Sequence, residues 1–125
     1  MDIILSNTSK TPIYEQIKDQ IKQAILNGEL KAGEAMPSIR GLAKDLRVSV
    51  ITTKRAYEDL EKEGFINTVV GKGSFVSGQS EDWLREQRLR KVENHLEAAA
   101  EEAHTLGLSF QELCEMLDLF YRGDR

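Results

Sequence analysis

Two serines constrain this chain more than any other feature. Ser38 and Ser49 each stand immediately before an apolar pattern of helical period, with only Arg47-Val48 to turn the chain between them. A serine hydroxyl accepts a free N–H of a helix's first turn, so each marks a helix start. After Ser38 the inward positions are Ile39, Leu42, Ala43 and Leu46; after Ser49 they are Thr53, Ala56, Tyr57 and Leu60, ending near Glu63 before Gly64. Val50, Ile51, Thr52, Lys54, Arg55 and Glu58 are left on the outer side of the later helix. The pattern predicts two short helices joined by a tight turn.

The flanks complete the architecture. Residues 1–11 read as an extended or irregular arm. Pro12 suits a first helical position with Thr11 as N-cap. The stripe Ile13, Ile17, Ile21 and Ile25, flanked by Tyr14 and Ala24, predicts a helix that stops at Asn27-Gly28. Residues 29–36 read as a connector. Beyond Gly64, two β-prone runs, 65–70 and 74–77, surround Gly71-Lys72-Gly73 and predict a hairpin. Gly78-Gln79-Ser80 is a polar break, placing one domain at 1–78 and a helical region at 79–125. In that region Leu89, Val92, Leu96, Ala99, Ala103 and Leu106 form a heptad-like seam. Gly107 breaks it, and Ser109 caps a last helix carrying Phe110, Leu113, Leu117 and Phe120 on one face, with Cys114 and Tyr121 beside them.

Charge divides the chain in the same place. The formal net charge is −4, but residues 1–79 balance at +1 and residues 80–125 at −5. Within 37–57 the basic residues Arg40, Lys44, Arg47, Lys54 and Arg55 face Asp45 alone. A polyanion responds to the face it meets, since charges beyond roughly 8–10 Å are screened at physiological salt. No apolar run approaches the roughly 20 residues of a membrane span, and the start lacks a secretory pattern. The single cysteine, Cys114, excludes an internal disulfide. These features lead to the expectation of a cytoplasmic protein with no membrane association.

Three helices followed by a hairpin give the order of a winged helix-turn-helix, here mainly α with a small β-hairpin. An α-helix fits the major groove of B-DNA. Ser49 would then offer a hydroxyl to phosphate, Thr52 a hydrogen bond to phosphate or base, and Val50 or Ile51 a contact to a thymine methyl. Ser38, Arg40, Lys44, Lys54 and Arg55 would meet phosphate or guanine. Gly71 would allow close approach at the wing tip, with Lys72 alongside.

At these residues the sequence resembles the GntR family of bacterial regulators. The motifs are Pro37-Ser38-Ile39-Arg40-Gly41-Leu42-Ala43, Val48-Ser49, Leu60-Glu61-Lys62-Glu63-Gly64 and Gly71-Lys72-Gly73-Ser74-Phe75-Val76. Together with Pro12-Ile13-Tyr14-Glu15-Gln16-Ile17 and the short tail, they are similar to the small YtrA-type subfamily. The resemblance covers about residues 10–77. It implies a DNA-binding transcriptional regulator, often a repressor of neighbouring transporter genes, with Arg40, Ser49, Val50, Ile51, Thr52, Lys54 and Gly71 as DNA contacts. Two departures stand out: Val50 occupies a position where many members have arginine, and Gly41 one where many have an acidic residue. The second removes half of a capping box with Ser38, a loss of about 1 kcal/mol.

Other readings are narrower. His95 and His104 point to opposite sides of a helix, so no metal site is expected; no nucleophile–base set appears, so no enzyme and no cofactor are expected. Tyr14, Tyr57 and Phe75 read as core, and Cys114 as packing. A winged helix can also serve as a protein-interaction adaptor without DNA, although such an adaptor has no need of the cations at 40–55. The tail's apolar faces exceed what two helices can cover, predicting a homodimer through Leu89, Val92, Leu96, Ala99, Ala103, Phe110, Leu113, Leu117 and Phe120. Two helices cannot enclose a pocket of roughly 300–1,000 Å³, so any small-molecule effector, which the sequence does not identify, is expected at the dimer interface or the domain junction.

Overall fold

The computed structural model describes residues 1–123. Its elements are α1 (Ile13–Leu26), α2 (Ile39–Leu46), α3 (Val50–Lys62), β1 (Ile66–Val69), β2 (Gly73–Val76), α4 (Glu81–Leu106) and α5 (Phe110–Arg122). They fall into two compact units, one of Met1–Leu84 and one beginning at Arg85.

In the first unit α3 packs against both α1 and α2. Its predicted inner face is buried in full: Thr53, Ala56 and Leu60 have no exposed surface and Tyr57 almost none. They meet Ile17, Ile21, Ala24 and Ile25 of α1, with Leu42, Phe65, Ile66 and Val76 closing the cluster. The two buried hydroxyls of α3 are satisfied, whereas Ser77 Oγ, also buried, has no hydrogen-bond partner among the described residues. The Thr53 hydroxyl donates to Ser49 O at 3.2 Å, and the Tyr57 hydroxyl donates to Pro37 O at 2.7 Å. The latter ties α3 to the residue before α2's cap, and burial pushes the Tyr57 phenol's pKa well up. Of the other aromatics expected in the core, Tyr14 is half-buried at its margin, and Phe75 is half-buried outside that cluster.

Three local outcomes differ from the sequence reading. Pro12 is itself the N-cap of α1, with no side-chain cap; Thr11 stands one residue outside and makes none. The connector is partly ordered as an edge to the hairpin. Ala35 bridges Phe75, Met36 N–H donates to Ser74 O and Gly33 N–H to Val76 O, each at 2.8 Å. The arm is held by two glutamines one helical turn apart. Gln20 exchanges hydrogen bonds of 2.9 and 2.7 Å with the backbone of Ile4, and Gln16 exchanges two of 2.9 Å with that of Ser6. Residues two apart in a strand face the same way, so the arm's Ile3 and Leu5 are turned toward the core.

The hairpin pairs Ile66 with Val76 through Val69 with Gly73, antiparallel. The first unit continues past the break at 78–80 because Trp83 packs edge-on against Phe65, with ring centroids 5.0 Å apart, and Leu84 also joins the core's margin.

The second unit has no comparable core. Ala103 is the one buried residue of α4, and α5 has none. The start of α5 carries a full capping box: Ser109 Oγ accepts from Glu112 N–H at 3.1 Å, and Glu112 accepts from Ser109 N–H at 2.9 Å. Those bonds hold the Glu112 carboxyl below its ordinary pKa. Ser38 makes only the first half, accepting from Gly41 N–H at 3.0 Å.

Tyr57→Phe removes the donor to Pro37 O and is expected to cost about 1–1.5 kcal/mol, read as a lower urea midpoint with an unchanged slope. A second expectation concerns Glu63, which receives Lys22 and, at 3.3 Å, Lys18 of α1. Burial works to raise its pKa, but the two lysines outweigh it and hold the carboxyl below its ordinary value. A lowered pKa means the contribution is present above the unfolded value of 4.5 and is lost as pH falls through the folded one. The Glu63 side chain is 39% exposed, so Glu63→Gln is expected to lose only about 0.5–1 kcal/mol at pH 7. Its stability should also fall less steeply than wild type below about pH 4.5, measured by denaturant titration at each pH.

Candidate nucleic-acid interface

The inner face of α3 fixes its rotation, and that rotation decides what the first turns present. Ile51 is 80% exposed and Val50 38%. Lys54 is exposed and Thr52 half-exposed. Ser49 caps the helix by accepting from Thr52 N–H at 3.0 Å, and its own O–H donates to the Thr52 hydroxyl oxygen at 2.7 Å. Ser49 is thus spent on holding the turn, which leaves Thr52 the hydroxyl with a proton to donate outward.

The neighbouring cations are unspent. Among the described residues, Arg40 and Lys44 of α2, Lys54 of α3 and Lys72 of the hairpin turn have no carboxylate within ion-pairing distance. Arg55 differs: its guanidinium lies 3.8 Å from the centre of the Tyr14 ring, a stacked cation–π contact on the α1 side of the helix. The sequence placed it with the outward set, and tertiary packing gives it a partner. Lys18 and Lys22 are likewise engaged, with Glu63.

Arg40 and Lys72 lie far apart in sequence yet line one open groove of about 380 Å³, together with Ser38, Thr68 and Ser74. Ser38 and Gly71 are exposed, and Gly71 takes φ 79°, a conformation glycine adopts without strain. At the wing's base Glu61 accepts from the Thr68 N–H and hydroxyl at 3.4 and 3.3 Å, and Thr68 lies 3.2 Å from the Ser74 hydroxyl. These bonds tether the hairpin to α3. Thr68 and Ser74 were absent from the sequence-derived site, since nothing local shows that residues 33–36 and β2 run together beside α2.

On the second unit Phe110 is 82% exposed and Phe120 64%. Leu89, Val92, Leu96, Leu106 and Leu117 are all about half exposed or more, Ala99 is exposed and Leu113 half-buried. Ala103 is instead covered within the chain, so little of it remains for another surface. Cys114, expected to pack, is exposed, because α5's side of the unit has no cover among the described residues.

The first turns of α3 are thus open and hydroxyl-bearing, and the unit that carries them also holds Arg40, Lys44 and Lys72, cations with no carboxylate partner among the described residues. The fold is a winged helix-turn-helix, the class used by DNA-binding transcriptional regulators. Residues 13–76 match the model of the "Bacterial regulatory proteins, gntR family". The chain is 36% identical over 109 residues to the HTH-type transcriptional repressor YtrA of Bacillus subtilis, covering 87% of this chain and 84% of that protein. YtrA from Sulfolobus acidocaldarius, a GntR-family transcription factor, is similar in structure with a TM-score of 0.60 at 34% identity, covering 97% of each chain. The DNA-binding domain of AraR in complex with operator ORX1 superposes with a TM-score of 0.55 at 26% identity, over 62% of this chain and 96% of that one. The chain belongs to the GntR family, and it resembles the YtrA-type members along most of its length. These relatives are regulators rather than enzymes. No helix among the described residues is long and apolar enough to cross a membrane.

Proposed function

We propose that the chain is a cytoplasmic, homodimeric repressor that reads an inverted-repeat operator through α3 of each copy. The observation that carries the DNA reading is the open first turn of α3, with Ile51 and Lys54 exposed and Thr52 half-exposed, in a unit whose Arg40, Lys44 and Lys72 have no carboxylate partner among the described residues. In this reading Lys54, Arg40, Lys44 and Lys72 neutralise phosphates or meet guanine, Ile51 and Val50 meet thymine methyls, and Thr52 donates to phosphate or base. Ser38 and Ser49 act by fixing the two helix starts, Gly71 lets the wing tip approach closely, and Arg55 braces α3 on Tyr14. The AraR domain, similar in fold, was captured with its operator, which supports the same use of this surface. The resemblance to YtrA-type members favours a transporter operon as the target.

The dimer rests on the second unit. Two helices with one buried residue between them leave an apolar surface that water disfavours. A second copy presents the same surface, and isologous pairing covers both at once. A dimer also suits recognition: two half-sites one helical turn apart multiply the specificity of one short contact. Each copy contributes the face bearing Leu89, Val92, Leu96, Phe110, Leu117 and Phe120. A small-molecule effector would bind where the two copies meet.

Selection of bound duplexes from a random pool should return an inverted repeat, and no enriched motif would favour a protein-interaction adaptor instead. On the selected duplex Arg40→Ala and Lys54→Ala should each weaken binding about tenfold, and the log–log salt slope should fall by about 0.9 for each phosphate no longer neutralised. Wild-type affinity in both variants would remove those residues from the site. A chain cut after Leu84 should sediment as a monomer while the full chain sediments as a dimer; a cut chain that stays dimeric would place the interface elsewhere.

A further inference from the structure

Arg47 closes the turn between α2 and α3 with φ 58° and ψ 44°, the left-handed region. Among the described residues it is the only non-glycine with positive φ; every other such position is glycine. An L side chain in this conformation crowds the following carbonyl oxygen, and glycine does not. The bonds that close the turn use only the backbone, with the Arg47 N–H shared between Ala43 O and Lys44 O. A glycine would make them equally well and with less strain. What the arginine adds is therefore its side chain.

That side chain is exposed. No carboxylate pairs with it and no ring stacks under it among the described residues. Three cations at the α1–α3 contact are engaged: Lys18 and Lys22 of α1 with Glu63, and Arg55 of α3 with Tyr14. Those from Arg40 to Lys54 are not, and Arg47 sits in the middle of that free series, between Lys44 and the cap Ser49. Guanidinium is suited to phosphate by its fork of donors.

We propose that Arg47 is a phosphate anchor at the helix-helix turn, gripping the DNA backbone at the edge of the groove that α3 enters and so fixing the helix's register. The assignment rests on the operator reading above and adds a phosphate partner that neither motif nor periodicity indicates. A phosphate contact carries no sequence information, so removing it must weaken operator and unrelated duplex alike.

The test uses the full chain as wild type, Arg47→Gly and Arg47→Lys, with Kd measured on the selected operator and on an unrelated duplex of equal length across a salt series. Arg47→Gly should melt no lower than wild type, yet bind both duplexes about tenfold more weakly, with a salt slope smaller by about one. Arg47→Lys should keep the wild-type slope. Arg47→Gly binding both duplexes like wild type would overturn the proposal, whatever its melting temperature. Weakening confined to the operator would also overturn it, making Arg47 a base reader. Wild type binding neither duplex would overturn the operator reading itself, and this one with it.

Discussion

The burial of one face of α3 governs the rest of the first unit. Thr53, Ala56, Tyr57 and Leu60 are withdrawn from water against Ile17 and Ile21, which commits the helix to one rotation. At 100° per residue, that rotation turns Ile51 directly outward and Lys54 to the outer flank, while Val50 stays nearer the packed side. The Tyr57–Pro37 bond then holds the start of α2 relative to α3, and Glu61 holds the wing through Thr68. Recognition helix, anchoring helix and hairpin are therefore positioned from a single packed surface. Substitutions inside it should act on DNA binding through position rather than through contact.

The same packing sorts the charges. Cations that reach the α1 side meet partners and become part of the scaffold: Lys18 and Lys22 on Glu63, Arg55 on Tyr14. Burial works to lower the Lys18 pKa, but Glu63, then Asp59 and Asp19, together hold it above its ordinary value, so this pair stays charged through the neutral range. Cations on the opposite side find no carboxylate and are left for an external anion. A chain of net charge −4 can thus leave cations unpaired on α2 and α3, because its acidic excess lies beyond residue 79 and Glu63 is taken up by lysines, although Asp45 and Glu58 stay exposed on the same two helices. The second unit is organised by the opposite deficit. Among the described residues its helices bury only Ala103, and most of its large apolar side chains stay exposed.

Much of this was legible in the sequence because it depends on local chemistry. Ser38, Ser49 and Ser109 cap the helices they precede, and the inner face of α3 is the set its periodicity named. Where the reading missed, either an adjacent residue or a long-range contact intervened. Thr11 was displaced as a cap by Pro12, the connector took an edge position against β2, and Trp83 drew the start of α4 into the first unit. Arg55 looked outward on a helical wheel but stacks on a ring contributed by another helix. Ala103 belonged to the seam by spacing yet is covered within the chain.

The amino-acid order alone determined where α2, α3 and α5 start, the inner face of α3, and the family that residues 10–77 resemble. Caps, glycine stops and periodicity act over a few residues, so they can be read without knowing what packs against them. Tertiary structure alone decided which cations remain free, that Arg40 and Lys72 share a groove with Thr68 and Ser74, and that an arginine rather than a glycine bears the strain of the helix-helix turn. Those facts depend on groups distant in sequence meeting or failing to meet, and on the dihedral angles that their packing imposes.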